Sequence, residues 1–191
     1  MRITGGEFAG RRIHCPPGTI RPAMDRMREA VFSSLGPLNG LTFLDLFSGS
    51  GIIALEAASR GASRVHSVER DRRKKDMLKE NLGIAGDHCS FTLGAVERFI
   101  MTRQERFDII FLDPPFPYKH KNDLLKKLIN SALVGPETRV LMHFPAEDRI
   151  RSEFQDTDGQ KSLVFEKEKK FGRSRVYYFR VMRPQAQQEV P

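Results

Sequence analysis

The sequence predicts an α/β fold, a doubly wound, mostly parallel seven-stranded sheet closed by an antiparallel C-terminal hairpin. Three observations predict it. From Leu41 onward, short apolar runs alternate with helix-length segments, the pattern of a parallel sheet with helices on both faces. Two late apolar runs follow one another with no helix between them, which makes them a hairpin. The first run leads through a glycine-bearing turn into a helix, the arrangement in which ligands bind beyond the carboxyl ends of the strands.

A small hairpin and helix extension over residues 1–40 precedes this pattern. Ile3–Phe8 and Arg11–Ile13 flank Ala9-Gly10 and predict a short hairpin. Pro16-Pro17-Gly18 is a turn. Asp25 stands where it would cap a helix over Arg26–Leu35, which Gly36-Pro37 ends. Met27, Val31 and Leu35 give that helix one apolar face.

The main domain runs from 41 to 183. Strands are predicted at 42–46, 64–68, 89–93, 107–112 and 139–144. Helices are predicted over 51–60, 72–82, 96–103 and 122–133, with a weak one near 147–154. Strands at 162–168 and 175–182 form the closing hairpin. Residues 184–191 are polar and predict a disordered tail.

Composition narrows the partners. The chain has 191 residues, 39% hydrophobic, which suits a single core. Net charge is +8, a surface that favours a polyanion. Cys15 and Cys89 are the only cysteines, so neither a disulfide framework nor a cysteine zinc cluster is predicted. The histidines lack ligand spacing, and no metal is expected. No apolar run is long enough for a membrane span, and the first residues lack a signal-peptide pattern. A cytoplasmic monomer is the expectation.

Asp45-Leu46-Phe47-Ser48-Gly49-Ser50-Gly51 joins the first strand to its helix. Gly49 and Gly51 allow a tight turn and close approach to a ligand, and the helix offers free N–H groups. Glu69, beside Arg70, ends the second strand, where a carboxylate accepts ribose hydroxyls. Gly94 and Ala95 follow the third strand and offer backbone N–H groups to an adenine. The glycine loop by itself also fits a nicotinamide dinucleotide. Asp45 suits a positively charged amino acid moiety better than a pyrophosphate.

Asp113-Pro114-Pro115-Phe116 follows the apolar run Phe107–Leu112. A carboxylate, two prolines and an aromatic ring at a strand end form a clamp for a planar ring bearing an exocyclic amine. Asp113 and a proline carbonyl accept the two amine hydrogens, and Phe116 stacks on the ring. The prolines bring no N–H of their own to compete. This tetrapeptide predicts methyl transfer to a base nitrogen. A paired base would have to be flipped out to reach it. Tyr118-Lys119-His120 is expected as a mobile lip over the base.

Cations that would grip RNA are Arg2, Arg11, Arg12, Arg21, Arg26 and Arg28 at the front and Lys169, Lys170 and Arg173 beside the late turn at Phe171-Gly172. Arg72-Arg73-Lys74-Lys75 is expected as a solvated helix start.

These residues resemble a known family. The opening Arg2–Arg11, the Arg21-Pro22 pair, Asp25–Glu29, the glycine loop and the Asp113–Phe116 clamp are similar to the bacterial 16S ribosomal RNA guanine-N2 methyltransferases. The likeness covers nearly the whole chain. It implies a Rossmann-like class I fold, S-adenosylmethionine as cofactor, and a small-subunit guanine as substrate within 16S ribosomal RNA, in an assembled particle rather than naked RNA. It implies catalytic roles for Asp113, Pro114, Pro115 and Phe116. It implies cofactor contacts for Asp45, Phe47, Ser48, Gly49, Gly51, Glu69, Arg70, Gly94, Ala95 and Asp113. The chain departs from the family at Ala23 and Met24, where a threonine usually follows the Arg-Pro pair, and at Gly94-Ala95, where an acidic residue is usual.

Four other readings share parts of this pattern. A DNA adenine-N6 methyltransferase uses the same clamp but needs a larger recognition region. A protein-glutamine methyltransferase usually begins its clamp with asparagine. The others are a non-catalytic RNA-binding protein on the same fold and a nicotinamide oxidoreductase.

Overall fold

The computed structural model describes residues 1–15 and 22–183, and within 22–24 the backbone only. The predicted turn at Pro16–Gly18, Arg21, the Ala23 and Met24 side chains and the tail at 184–191 lie outside the described residues.

The sheet has eight strands in the order β3-β2-β1-β4-β5-β8-β7-β6. They are β1 (Thr42–Leu46), β2 (Arg64–Glu69), β3 (Cys89–Leu93), β4 (Ile109–Leu112), β5 (Arg139–Pro145), β6 (Glu153–Gln155), β7 (Ser162–Phe171) and β8 (Ser174–Met182). The first five run parallel. β8 lies antiparallel to β5, β7 to β8 and β6 to β7. The eighth strand, β6, replaces the weak helix expected near 147–154. Phe154 alternates between exposed neighbours there and buries its ring edge-on to Phe179, 6.3 Å between centroids. Period-two burial at a sheet edge won over weak helix propensity.

Helices α1 (Pro22–Leu35), α2 (Ile52–Ser59), α3 (Lys75–Leu82), α4 (Val96–Thr102) and α5 (Lys121–Ile129) cover the two faces. Successive side chains of a strand point to opposite faces. Phe43, Ile109 and Phe111 therefore meet α1, α2 and α3 on one side, while Leu44, Ile110 and Leu112 meet α4 and α5 on the other. Asp25 lies inside α1 rather than capping it, and pairs with Arg28 at 2.9 Å.

The extension forms a minimal hairpin, in which the Ile3 amide donates to the Arg11 carbonyl and the Ile13 amide to the Met1 carbonyl, each at 3.0 Å. A single bridge joins Arg2 and Arg12, and Ile3 and Ile13 enter the same core as α1 and α2. Its anchor is Glu56 of α2, fully buried. That carboxylate accepts from the Thr4 amide and hydroxyl, each at 2.9 Å, from Arg28 Nε at 3.1 Å and from Arg60. Gly6 sits against the α2 carboxyl end with φ 82°, where a Cβ would fall 1.8 Å from the Ser59 carbonyl oxygen. Only glycine fits there.

The chain turns left from β1 to β2 and right from β4 to β5, so the sheet reverses between β1 and β4. The crevice at their carboxyl ends is where such folds bind ligands.

Candidate active site

The Asp113 amide donates to the Leu46 carbonyl at 3.1 Å, extending the β1–β4 ladder by one bond. This places the clamp directly beside the glycine loop. Phe47 turns out of β1 with φ 67°, a conformation costly for a side chain with a Cβ. Gly49 (φ 58°) and Gly51 (φ 81°) complete the loop, and Gly51 caps α2. A cavity of about 650 Å³ opens here, walled by Phe47, Gly49, Glu69, Asp113, Phe116 and Tyr118.

Asp45, in β1 two residues before Phe47, is 1% exposed, and neither carboxylate oxygen makes a well-formed hydrogen bond among the described residues, although the Ser48 hydroxyl and the Ala54 amide lie near enough to favour its charge. Burial pushes its pKa up to about 7, the Ser48 hydroxyl partly offsets this, and the Asp113 and Glu69 charges add to it. A buried carboxylate without a partner is costly. It is the feature that fits an added cation, such as the ammonium of an amino acid ligand. Glu69 is oriented in advance. Its Oε2 accepts from the Gly49 amide and its Oε1 from the Asp71 amide, both at 2.8 Å, with Lys74 at 3.3 Å. Oε1 retains a lone pair for a ligand hydroxyl, while Oε2 already faces both the Gly49 amide and Lys74.

The Gly94 amide donates to the Glu69 carbonyl at 2.9 Å and is thus engaged. From this corner the cavity wall takes Val96 and Glu97, not Gly94 and Ala95. Arg70 and Arg72 line the rim, as do Arg73 and Lys74, so the basic run expected in solvent borders the cavity. Arg73 is neutralised by Asp71 at 2.9 Å.

At the clamp, His143 of β5 is 2.8 Å from Asp113, Nδ1 to Oδ1. A carboxylate only accepts, so Nδ1 carries the hydrogen, and among the described residues Oδ2 has no partner. The Pro115 carbonyl accepts from the Tyr118 amide at 2.8 Å, and Lys121 takes the Phe116 and Tyr118 carbonyls. Among the described residues, no donor takes the Pro114 carbonyl. Asp113 Oδ2 and the Pro114 oxygen are therefore the two acceptors left for a ligand amine. Phe116 is 41% exposed, a large apolar ring free to stack. Tyr118 is anchored, not loose. Its hydroxyl donates to Glu97 at 2.6 Å, and its ring meets Phe47 edge-on at 5.6 Å. Burial and the Glu97 carboxylate raise the Tyr118 pKa.

The family described as conserved hypothetical protein 95 matches residues 1–180. The chain belongs to this family. Ribosomal RNA small subunit methyltransferase D of Escherichia coli K12 is 37% identical over 135 residues, 68% of this chain and 65% of that protein. The chain's match thus spans about two thirds of that relative's length. The Haemophilus influenzae protein of the same name is 31% identical over 149 residues, 73% of this chain and 76% of that protein. Among solved structures, yhhF from Escherichia coli superposes with a TM-score of 0.81 at 25% identity, covering 96% of this chain and 98% of that one.

The cations expected to grip RNA divide into groups. Arg2, Arg11, Arg12 and Arg26 are exposed, and Arg11 lies over the Phe8 ring at 5.3 Å. Arg28 is not available, which corrects the expectation for it. It is fully buried and spent on Glu56, Asp25 and the Arg2 carbonyl. Lys169 donates to the Ala30 carbonyl at 2.8 Å and ties β7 to α1. Lys170 and Arg173 are exposed. The Arg173 carbonyl accepts from the Ala146 amide at 2.9 Å, which brings the β7–β8 turn to the carboxyl end of β5, the strand that carries His143.

Sequence reasoning missed His143 and Lys121. His143 carried a usable signal, a polar residue near the end of an apolar strand, the same signal that marked Asp113. Lys121 carried none, because a lysine opening a helix reads as solvated.

Proposed function

We propose that this protein methylates the exocyclic N2 amine of a guanine in small-subunit ribosomal RNA, with S-adenosylmethionine as the methyl donor. The observation that carries the reading is the pair of open acceptors, Asp113 Oδ2 and the Pro114 carbonyl, beside an exposed Phe116 on the wall that also holds Glu69. The names of the relatives support the ribosomal substrate.

Asp45 would hold the cofactor's ammonium, and Glu69 its ribose hydroxyls. When bound, the cofactor supplies an electrophilic methyl group on sulfur. The protein's part is position and charge. An aromatic amine is a poor nucleophile because its lone pair is delocalised into the ring. Accepting both amine hydrogens, Asp113 Oδ2 and the Pro114 carbonyl hold that nitrogen with its lone pair directed out of the ring plane. Asp113 Oδ2 is also placed to take the proton that the amine loses. His143 fixes which carboxylate oxygen does this. Phe116 stacks on the base, worth about 1–3 kcal/mol. The target guanine must be unpaired or flipped.

The test is transfer of labelled methyl to unmodified small subunits, naked 16S RNA, duplex DNA and bulk protein. N2-methylguanine in RNA is expected, and lost in Asp113→Ala with cofactor binding retained. Label in DNA or protein alone would overturn the substrate, and a fully active Asp113→Ala the mechanism.

A further inference from the structure

Lys121 opens α5 but is 4% exposed. Its ammonium donates to the Phe116 carbonyl at 3.1 Å and to the Tyr118 carbonyl, and lies 2.7 Å from Asp148 Oδ2. The ammonium thus makes two hydrogen bonds to carbonyls and one ion pair to a carboxylate. Asp148 belongs to the turn after β5. Asn122 binds that turn to α5 from both sides, donating to the Arg149 carbonyl and accepting from the Arg151 amide, each at 3.0 Å.

We propose that Lys121 is a positioning residue for methyl transfer, a latch that holds the Phe116–Tyr118 loop so that the Phe116 ring and the Pro114 carbonyl face the base. The inference rests on the function proposed above. The composition of the loop requires an outside donor. Prolines at 114, 115 and 117 remove three amides from the loop. Within it, the Tyr118 amide bonding the Pro115 carbonyl is the one backbone bond among the described residues. The ring of Phe116 is not held by burial either, being 41% exposed. Its orientation therefore depends on the backbone as well as on the edge-on contact with His143, and Lys121 is what fixes that backbone. Asp148 keeps the buried charge paired. By occupying the Phe116 and Tyr118 carbonyls, Lys121 also removes two competing acceptors and leaves Pro114 for the amine.

The test compares Lys121→Met with Lys121→Gln, whose amide keeps two donors for the two carbonyls. The Met variant is expected to lose roughly 10²-fold in kcat, the scale of a misplaced clamp, with cofactor affinity within about twofold. The Gln variant is expected to regain roughly tenfold over Met. Amide hydrogen exchange at Phe116, Tyr118, Lys119 and His120 is expected to quicken in Met and much less in Gln. Equal rates in Met and wild type, equal rates in Met and Gln, or unchanged exchange would overturn the latch. If Met does not fold, a Gln variant with wild-type melting and a rate as low as roughly a hundredth would overturn it too. A wild-type protein that methylates none of the four substrates, while Met still quickens exchange in the loop, would overturn the proposed function and leave the latch standing.

Discussion

His143 holds Asp113 from behind, Nδ1 to Oδ1 at 2.8 Å, and the same imidazole meets the Phe116 ring edge-on with centroids 5.7 Å apart. One buried side chain thus supports both the carboxylate and the stacking ring of the clamp. His143→Phe keeps a ring against Phe116 and removes the donor, whereas His143→Leu removes both. Both variants are expected to lose about 10- to 100-fold in kcat, with Leu the worse and cofactor affinity nearly unchanged. Single-turnover methyl transfer checks this. A His143→Phe variant at full rate would show that the hydrogen bond is not needed.

Asp45→Asn is expected to stabilise the cofactor-free protein and to weaken cofactor binding. The folded carboxyl titrates near 7, pushed up first by burial and further by Asp113 and Glu69 despite Ser48. An unfolded aspartate titrates near about 4. Between these values the folded state keeps a proton that the unfolded state has lost, so stability falls as pH rises and levels off above about 7. Removing the charge should therefore gain most at pH 8, up to roughly 4 kcal/mol, less at pH 5, and nothing well below pH 4. Urea melts at two pH values check it. In the wild type, cofactor affinity should fall on acidification below about 7, because a cation needs Asp45 ionised.

Glu56→Gln is expected to cost about 1–3 kcal/mol, because it removes the buried charge that Arg28 and Arg60 share, with Asp25 left as the other carboxylate on Arg28. Thermal melts should show the loss. The extension should also loosen, since the Thr4 amide and hydroxyl both depend on that carboxylate. An unchanged melting temperature would show that the extension is held by its apolar contacts alone.

Arg173→Ala is expected to lower RNA affinity and to reduce the salt dependence of binding by about 0.7 in log–log slope, the effect of one lost contact to a single strand. The Arg2 and Arg12 positions should behave alike if that face also touches RNA. An unchanged slope at Arg173 would move the RNA path away from the β7–β8 turn.

Much of the parallel sheet was legible because its signals are local. Apolar runs such as Ile109–Leu112 and Val140–Phe144 are buried strands wherever they occur, and Gly49 and Gly51 announce a tight turn through their backbone alone. The edge was less legible. β6 has three residues, too few for a period to show against helix propensity. The hairpin of the extension was legible, but its anchor was not, because the Thr4 amide and hydroxyl are satisfied by Glu56, fifty-two residues away.

Sequence by itself determined the chemistry carried along the chain: a carboxylate with prolines and a ring after one strand, an acid and glycines after another, and an excess of positive charge. These follow from residue type and spacing of 2 or 3.6, which need no partner to be read. Tertiary structure alone decided which of these groups are spent and which are open. Arg28 looked like an RNA contact and is locked against Glu56, Lys121 carried no signal and holds the clamp loop, and His143 claims one oxygen of Asp113. Hydrogen bonds and ion pairs between residues far apart in sequence have no local period. Only when the strands are set side by side do Asp113 Oδ2 and the Pro114 carbonyl emerge as the acceptors left over.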